Sequence, residues 1–365
     1  LDLSYYSKGP MIAYLIAFGT WLFGDNEFGV RFFAVVFSAL SSLFLYRLGK
    51  EMYNEKVGAS AAIILQIIPV FSIFGILFTI DSPFIFSWIL SLYLFFKAVT
   101  SYELRVTSQR DTILLQQTCH SSLVTCYWFL LGVSIGLGLL AKYTMAFFYI
   151  CAFLFLVSSS RHRRLLRTPA PYISAFISLA VFSPVIIWNF MNNWVTVRHT
   201  AGHVGVYEGL QVSLKSFFTF AGSQFGLVTP VLLVMIIVAL WKIRRDERGN
   251  LLFWFSVPVI VFFLLKSLQR KVEANWAVAG YITGLIAFSA VYINNWRQQK
   301  KYLKAIIVIG AIIPLLLTAI GLYSYKLHLP AKIDPSARHR TWEKLGQEVS
   351  ALYNDMKKRG NAFIF

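Results

Sequence analysis

Long apolar runs dominate this chain, and the polar breaks between them alternate in kind. Every second break carries a basic cluster: Arg47/Lys50/Lys56, Lys97/Arg105/Arg110, Arg161/Arg163/Arg164/Arg167, Lys242/Arg244/Arg245/Arg248 and Arg297/Lys300/Lys301/Lys304. The intervening breaks, at residues 79–83, 141–144, 189–211, 266–275 and the tail after Tyr323, hold Asp, Trp, His and Asn. A run of about 20 apolar residues spans a bilayer core as a helix, and Lys/Arg-rich loops stay on the cytoplasmic side. The basic breaks are therefore predicted inside, and any chemistry belongs to the outer set.

The pattern predicts an all-α polytopic membrane protein with about ten crossings, at residues 30–48, 57–78, 84–96, 127–141, 144–158, 172–188, 217–241, 251–265, 276–293 and 305–323. The stretch 127–158 needs two of them: one straight helix there would be about 48 Å long, and both flanking loops are basic, so the chain turns near Lys142. Residues 10–24 are apolar but too short to span and end in Asp25-Asn26-Glu27, which fits an interfacial helix on the outer face.

After Leu329 the chain turns polar. Trp342, Leu345, Val349, Leu352, Tyr353 and Met356 recur at helical spacing. Residues 1–329 are thus expected to form the membrane domain. Residues 330–365 would begin a small α/β extracytoplasmic domain, with 361–365 as a strand awaiting a partner. The chain opens mid-pattern, so truncation at both ends is expected.

Composition sharpens the picture: 57% hydrophobic residues, 14% charged residues and a mean hydropathy of +0.63 lie far from a soluble domain's balance. The net charge of +18 is spread over loops, where it orients the protein and meets anionic lipid, rather than gathered on a nucleic-acid-binding module. Cys119, Cys126 and Cys151 suggest reduced thiols; Cys119-His120 with Cys126 lacks a fourth metal ligand at suitable spacing.

Several outer residues can carry chemistry. Lys8, beside Tyr5 and Tyr6, can pair with a lipid phosphate, or snorkel in an ordinary interfacial belt. Asp81, in Thr79-Ile80-Asp81-Ser82-Pro83, reads equally as an N-cap and as a carboxylate held at the membrane boundary for function. Lys142 either snorkels or meets an anion. Lys266, Arg270, Lys271 and Glu273 before Asn275-Trp276 form an outer basic cluster against the positive-inside trend, explained by an anionic ligand or by a Glu273 ion pair. Trp188-Asn189, Asn192 to Trp194, Arg198-His199 and on through His203 to Glu208 mix rings with amides, as carbohydrate sites and interfacial belts both do. Outside the cytoplasm sugar transfer needs a membrane-borne activated donor such as a polyprenyl phosphate. Lys and Arg stabilise the departing phosphate, and a carboxylate activates the acceptor hydroxyl.

Tyr-Tyr-Ser-Lys-Gly-Pro-Met at 5 to 11, Glu-Phe-Gly-Val-Arg at 27 to 31, Asp-Ser-Pro-Phe at 81 to 84, Leu-Ala-Lys-Tyr at 140 to 143, Trp-Asn at 188 to 189, Lys-Val-Glu-Ala-Asn-Trp at 271 to 276 and Asp-Pro-Ser-Ala-Arg at 334 to 338 resemble the polytopic GT-C glycosyltransferases related to protein O-mannosyltransferases and aminoarabinose transferases. The resemblance implies inverting transfer of a sugar from a polyprenyl-phosphate donor to a lipid, glycan or protein acceptor, at the outer face of a bacterial inner membrane. It implies donor-phosphate contacts from Lys8, Lys142, Arg270 and Lys271, and Asp81 as the second acidic site residue. Sugar or acceptor contacts would come from Tyr5, Tyr6, Trp188, Asn189, His199, Glu273, Asn275 and Trp276. A divalent metal ion is the one candidate cofactor. The family's leading acidic motif would stand upstream of Leu1, since Asp2 lies too close to Tyr5. A secondary transporter would show internal repeats and midplane charges, which this chain lacks; a non-catalytic lipid-phosphate-binding protein is the other alternative.

Topology is directly testable. Reporter fusions after Arg167 and Arg248 should read cytoplasmic and fusions after Asn193 and Lys332 external, and a swap between the two sets would overturn the assignment of sides.

Overall fold

The computed structural model describes residues 4, 7–108, 114–204, 212–327 and 337–358, and among these all regular structure is helical. Helix α1 (Met11–Phe23) has 13 residues, about 20 Å of rise, too short to span. It leaves Phe18 and Trp21 exposed while Gly19 meets the backbone of Gly29 on α2 (Glu27–Met52). Asn26 and Asn54 start the next two helices in the same way. Each side chain accepts a backbone N–H three residues on, from Gly29 at 2.9 Å and from Val57 at 3.1 Å.

The crossing expected at 57–78 is broken. Helix α3 (Glu55–Ile67) gives way to α4 (Pro69–Ile76) through a 73° bend, because Pro69 cannot continue the helical hydrogen bonding. The hydroxyl of Ser72 donates to the freed Gln66 carbonyl. Helices α5 (Asp81–Ser108) and α6 (Leu114–Ala141), 28 residues each, run well beyond the expected 84–96 and 127–141. The chain turns at Lys142, as parity required. It passes through a 3-10 turn, Tyr143–Ala146, into α7 (Phe147–Ser158).

Helix α8 (Ala170–Met191) is followed by the short α9 (Val195–Val204). The apolar run expected as one crossing at 217–241 is again broken, into α10 (Leu214–Val228) and α11 (Pro230–Ile243) bent by 96°. The corner is Thr229, a β-branched residue held at φ 72° ahead of Pro230, a region such residues rarely enter. Helices α12 (Glu247–Trp254) and α13 (Val257–Ser267) precede a 3-10 turn, Ala274–Ala277, and α14 (Ala279–Phe288), which continues into a π turn at Ser289–Ile293. The last two helices are α15 (Lys301–Leu327), with Pro314 inside it, and α16 (Ala337–Lys358).

Among the described residues six helical segments are long and apolar enough to cross a membrane, or eight if each bent pair counts as one span. Two of the ten expected crossings, now Tyr143–Ser158 and Ala279–Ile293, are shorter apolar helices. Two compact units result, Leu1–Pro314 and Leu315–Phe365. In the second, Leu345, Val349 and Leu352 of α16 are exposed; the side chain of Trp342 and the strand expected at 361–365 lie outside the described residues.

The first unit has a continuous core. Trp88, Phe95, Phe148 and Phe255, from α5, α7 and the α12–α13 break, meet mostly edge to face at centroid distances from 4.8 to 6.4 Å. Close approach of α6 to α8 depends on Gly132 and Gly136, a small residue every fourth position. A methyl group on Gly136 would come within 2.5 Å of Val181 Cβ and 2.9 Å of the Ser178 carbonyl. Gly136→Leu should therefore lower unfolding stability by about 1–3 kcal/mol, measured by thermal denaturation in detergent. Gly222→Ala, where nothing lies within 4 Å, is the control expected to be neutral or slightly stabilising.

Candidate active site

Asp81 is the first residue of α5 and Lys142 follows the last residue of α6, so the packing of these neighbouring helices brings the two ends together. Lys142 Nζ lies 2.7 Å from Asp81 Oδ1, and the side chains are 8% and 4% exposed. Asn275, in the turn before α14, donates from Nδ2 to the other carboxylate oxygen at 2.9 Å. The ammonium also sits 5.4 Å from the centre of the Phe84 ring, one turn along α5 from Asp81. Each group suits its helix end: a carboxylate stands at the N-terminus of α5, and a cation at the C-terminus of α6.

The capping reading of Asp81 is not what forms. A cap would turn its carboxylate back to first-turn N–H groups. Instead the Thr79 hydroxyl accepts from the Asp81 N–H at 3.2 Å. Ser82 ties the end of α4 to the start of α5, donating to the Phe74 carbonyl at 2.6 Å. Both carboxylate oxygens are left to face Lys142 and Asn275.

Lys8 is exposed. Its neighbour Gly9 is buried against the Leu140 backbone, two residues from Lys142, so Lys8 stands at the same helix end. Arg270 donates to the Gly202 carbonyl on α9, which binds the turn before α14 to α9. Lys271 and Glu273 form an exposed ion pair at 3.1 Å. Asn189 is buried and used internally: its Oδ1 accepts from the Thr196 N–H at 3.1 Å and its Nδ2 donates to the Val185 carbonyl at 2.9 Å. It thereby holds the α8–α9 turn, where Asn193 and Trp194 adopt positive φ. Trp188 and His199 are half-buried. Trp276 packs on Phe263 at 5.9 Å. Tyr5 and Tyr6 lie outside the described residues, as do Asp2 and Glu208.

A cavity of about 410 Å³ opens between α8, α9 and Tyr143, the residue after Lys142; Tyr143 is its link to the group, since Asp81, Lys142 and Asn275 do not line it. Phe182, Val185, Ile186, Trp194 and Val197 make its wall almost wholly apolar, with Asn189 and Thr196 among the few polar groups. An apolar slot next to a cation suits an amphiphile whose head is anionic. Among the described residues no group of three or more His, Cys, Asp or Glu side chains could hold a metal ion. Asp81 takes an ammonium and an amide as its partners instead.

Sequence reading reached Asp81, Lys142 and Asn275 separately, and it placed Thr79, Phe84 and Tyr143 within motifs without giving them a role of their own. It missed Gln224, which lies behind the Ala274 carbonyl at 3.4 Å. The available signal for Gln224 was one amide in the C-terminal half of α10, directly after Ser223 and before the apolar Phe225 to Val228.

Residues 7–107 and 112–188 match the family model described as dolichyl-phosphate-mannose-protein mannosyltransferase. The chain is 26% identical over 96% of its length to the lipid A galacturonosyltransferase RgtD of Rhizobium johnstonii, of which it covers 70%. It is also 26% identical, over 73% of its length, to the undecaprenyl phosphate-alpha-4-amino-4-deoxy-L-arabinose arabinosyl transferase of Erwinia tasmaniensis, of which it covers 46%. In fold it is similar to ArnT from Cupriavidus metallidurans bound to undecaprenyl phosphate, with a TM-score of 0.61 at 17% identity over 98% of this chain and 63% of that one. The oligosaccharyltransferase of Archaeoglobus fulgidus is a second fold neighbour, with a TM-score of 0.57 at 14% identity over 92% of this chain and 50% of that one.

The buried pair makes a stability prediction. Lys142→Met alone leaves Asp81 uncompensated and should cost about 3–5 kcal/mol, whereas the double variant Asp81→Leu/Lys142→Met should recover most of that loss. Denaturation midpoints of wild type, Asp81→Leu, Lys142→Met and the double variant decide it; a double variant as unstable as the sum of the two singles would contradict the pairing.

Proposed function

Since the chain belongs to the GT-C superfamily of membrane glycosyltransferases, we propose that the complete protein transfers a sugar from a polyprenyl-phosphate donor to a lipid acceptor. The reaction is proposed to take place at the outer face of the bacterial inner membrane, with inversion at the anomeric carbon. The observation that carries this reading is the buried Asp81–Lys142–Asn275 group beside an apolar cavity. A lipid acceptor is favoured because similarity to the lipid A galacturonosyltransferase extends over nearly the whole chain.

In the proposed step the acceptor hydroxyl oxygen attacks the anomeric carbon, the bond from that carbon to the phosphate oxygen breaks, and polyprenyl phosphate departs carrying the electron pair. Lys142 uses one proton on Asp81 and can direct the others to the departing oxygens, assisted by the exposed Lys8. Arg270 spends one of its N–H groups on the Gly202 carbonyl and carries others that can be offered to the phosphate. Asp81 keeps one free lone pair on each oxygen, and these orient the sugar or the acceptor. The proton of the acceptor hydroxyl goes to a carboxylate, Asp81 itself or the acidic residue expected upstream. The cavity between α8 and α9 takes the hydrocarbon of a lipid substrate.

The test is turnover by the complete protein, purified in detergent and given an undecaprenyl-phosphate-linked sugar and a lipid acceptor. Wild type should release undecaprenyl phosphate. Asp81→Asn, which keeps the shape and loses the charge, should lower kcat by about 10²- to 10⁴-fold, and Lys8→Ala should raise the donor KM by about tenfold. Wild-type turnover in Asp81→Asn would remove Asp81 from the reacting centre.

A further inference from the structure

Gln224 and Tyr281 are buried polar residues that the proposed chemistry does not use. Gln224 is 4% exposed on α10, and Tyr281 is 1% exposed on α14. The Tyr281 hydroxyl donates to Gln224 Oε1 at 2.8 Å, which fixes which way the amide points. Its Nε2 then faces three acceptors: the Phe220 carbonyl at 3.2 Å, the Ser223 hydroxyl at 3.1 Å and the Ala274 carbonyl at 3.4 Å. Ala274 is the residue before Asn275, whose own amide holds Asp81 Oδ2 at 2.9 Å.

Burying an amide and a phenol in an apolar bundle is costly unless both are satisfied, and a satisfied network then imposes one geometry. Had the pair served only to join α10 to α14, bonds within those two helices would have sufficed. Its far end instead lies on the turn that carries Asn275. That turn has four residues; its other ties include the Trp276 N–H to the Glu273 carbonyl at 3.0 Å, the Val278 N–H to the Asn275 carbonyl at 3.4 Å, the Trp276 ring on Phe263 and the packing of the fully buried Ala277. Without Gln224 the Ala274 carbonyl loses its donor from α10, and the N-terminal end of the turn, which carries Asn275, is less firmly fixed against Asp81.

We infer that Gln224 and Tyr281 are positioning residues that act through the Ala274–Asn275 turn to hold the Asp81 carboxylate in register with Lys142. The inference rests on the reading of Asp81 as an acidic site residue of a glycosyltransferase. Tyr281 aims the Gln224 amide, Gln224 fixes the turn, and Asn275 passes that alignment to one carboxylate oxygen while Lys142 holds the other. Neither Gln224 nor Tyr281 touches substrate.

The experiment is a double-mutant cycle on the complete protein in detergent, with Gln224→Leu, Tyr281→Phe, Asn275→Ala and the two pairs that include Asn275→Ala. Turnover of an undecaprenyl-phosphate-linked sugar and the thermal midpoint are both read. Gln224→Leu and Tyr281→Phe should each lower kcat by about tenfold and leave the donor KM within about twofold, because alignment and not binding is lost. In the Asn275→Ala background the same changes should lower kcat further by less than about twofold, since the route they act through is already cut. An undiminished tenfold loss in that background, or an unchanged kcat in the single variants, would overturn the inference. Should wild type itself transfer no sugar, the functional proposal fails separately. The thermal midpoints of the same cycle then decide, with non-additive shifts supporting the coupling of Gln224 to Asn275 and additive shifts overturning it.

Discussion

A carboxylate and an ammonium buried against each other at the end of an apolar bundle set conditions that much of the first unit meets. Taking either charge out of water costs several kcal/mol, and the attraction between them offsets this only with good geometry and further hydrogen bonds. Here the geometry is 2.7 Å between Lys142 Nζ and Asp81 Oδ1, and Asn275 supplies the further bond. Three separated stretches must converge for that to hold, and the helix ends assist. The carboxylate lies where α5 presents its unsatisfied N–H groups, and the ammonium where α6 presents its unsatisfied carbonyls.

The breaks in the apolar runs serve the same convergence. A single straight helix from Glu55 would run past the point where the chain must turn into Asp81. The bend at Pro69 shortens that path, and the Ser82 hydroxyl secures the end of α4 to the start of α5. The corner at Thr229 turns α10 by 96° from α11, leaving Gln224 within reach of the Ala274 carbonyl. Such breaks are tolerated in apolar surroundings only where side chains satisfy the freed backbone groups or protein covers them; Ser72 does so at the α3–α4 break and Ser82 at the far end of α4.

Much of this was legible in the sequence. Run length and alternating basic breaks gave the helical order, the turn at Lys142 and a separate short α1, because hydropathy and loop charge act locally. Pairing was not legible: Asp81 and Lys142 are 61 residues apart, and nothing local distinguishes a cap from a site carboxylate. Bends escaped because hydropathy records how apolar a run is, not which way it points; Pro69 and Pro230 were the available signs. Asn189 fitted a sugar-binding amide by composition, yet its side chain is consumed by the α8–α9 turn. Lys271 and Glu273 formed the ion pair that the sequence offered as an alternative to ligand binding.

Burial separates the two uses of charge in this chain, which residue counts cannot do. At the helix ends away from Asp81, Lys50 meets Glu55 and Arg161 meets Glu247 with side chains 46% to 72% exposed. Exposed pairs of this kind contribute about 0–1 kcal/mol, so their basic members stay solvated at little cost, as the positive-inside reading of these loops expects. Lys142 has the same side chain as Lys50 but is enclosed, and an enclosed ammonium persists only beside a partner. Its partner is a carboxylate with lone pairs to spare, next to a cavity of hydrocarbon dimensions. A charge that orients a loop needs water around it, whereas the proposed chemistry needs water kept away until the substrate arrives; among the described residues the Asp81–Lys142 pair is the ion pair with both side chains enclosed.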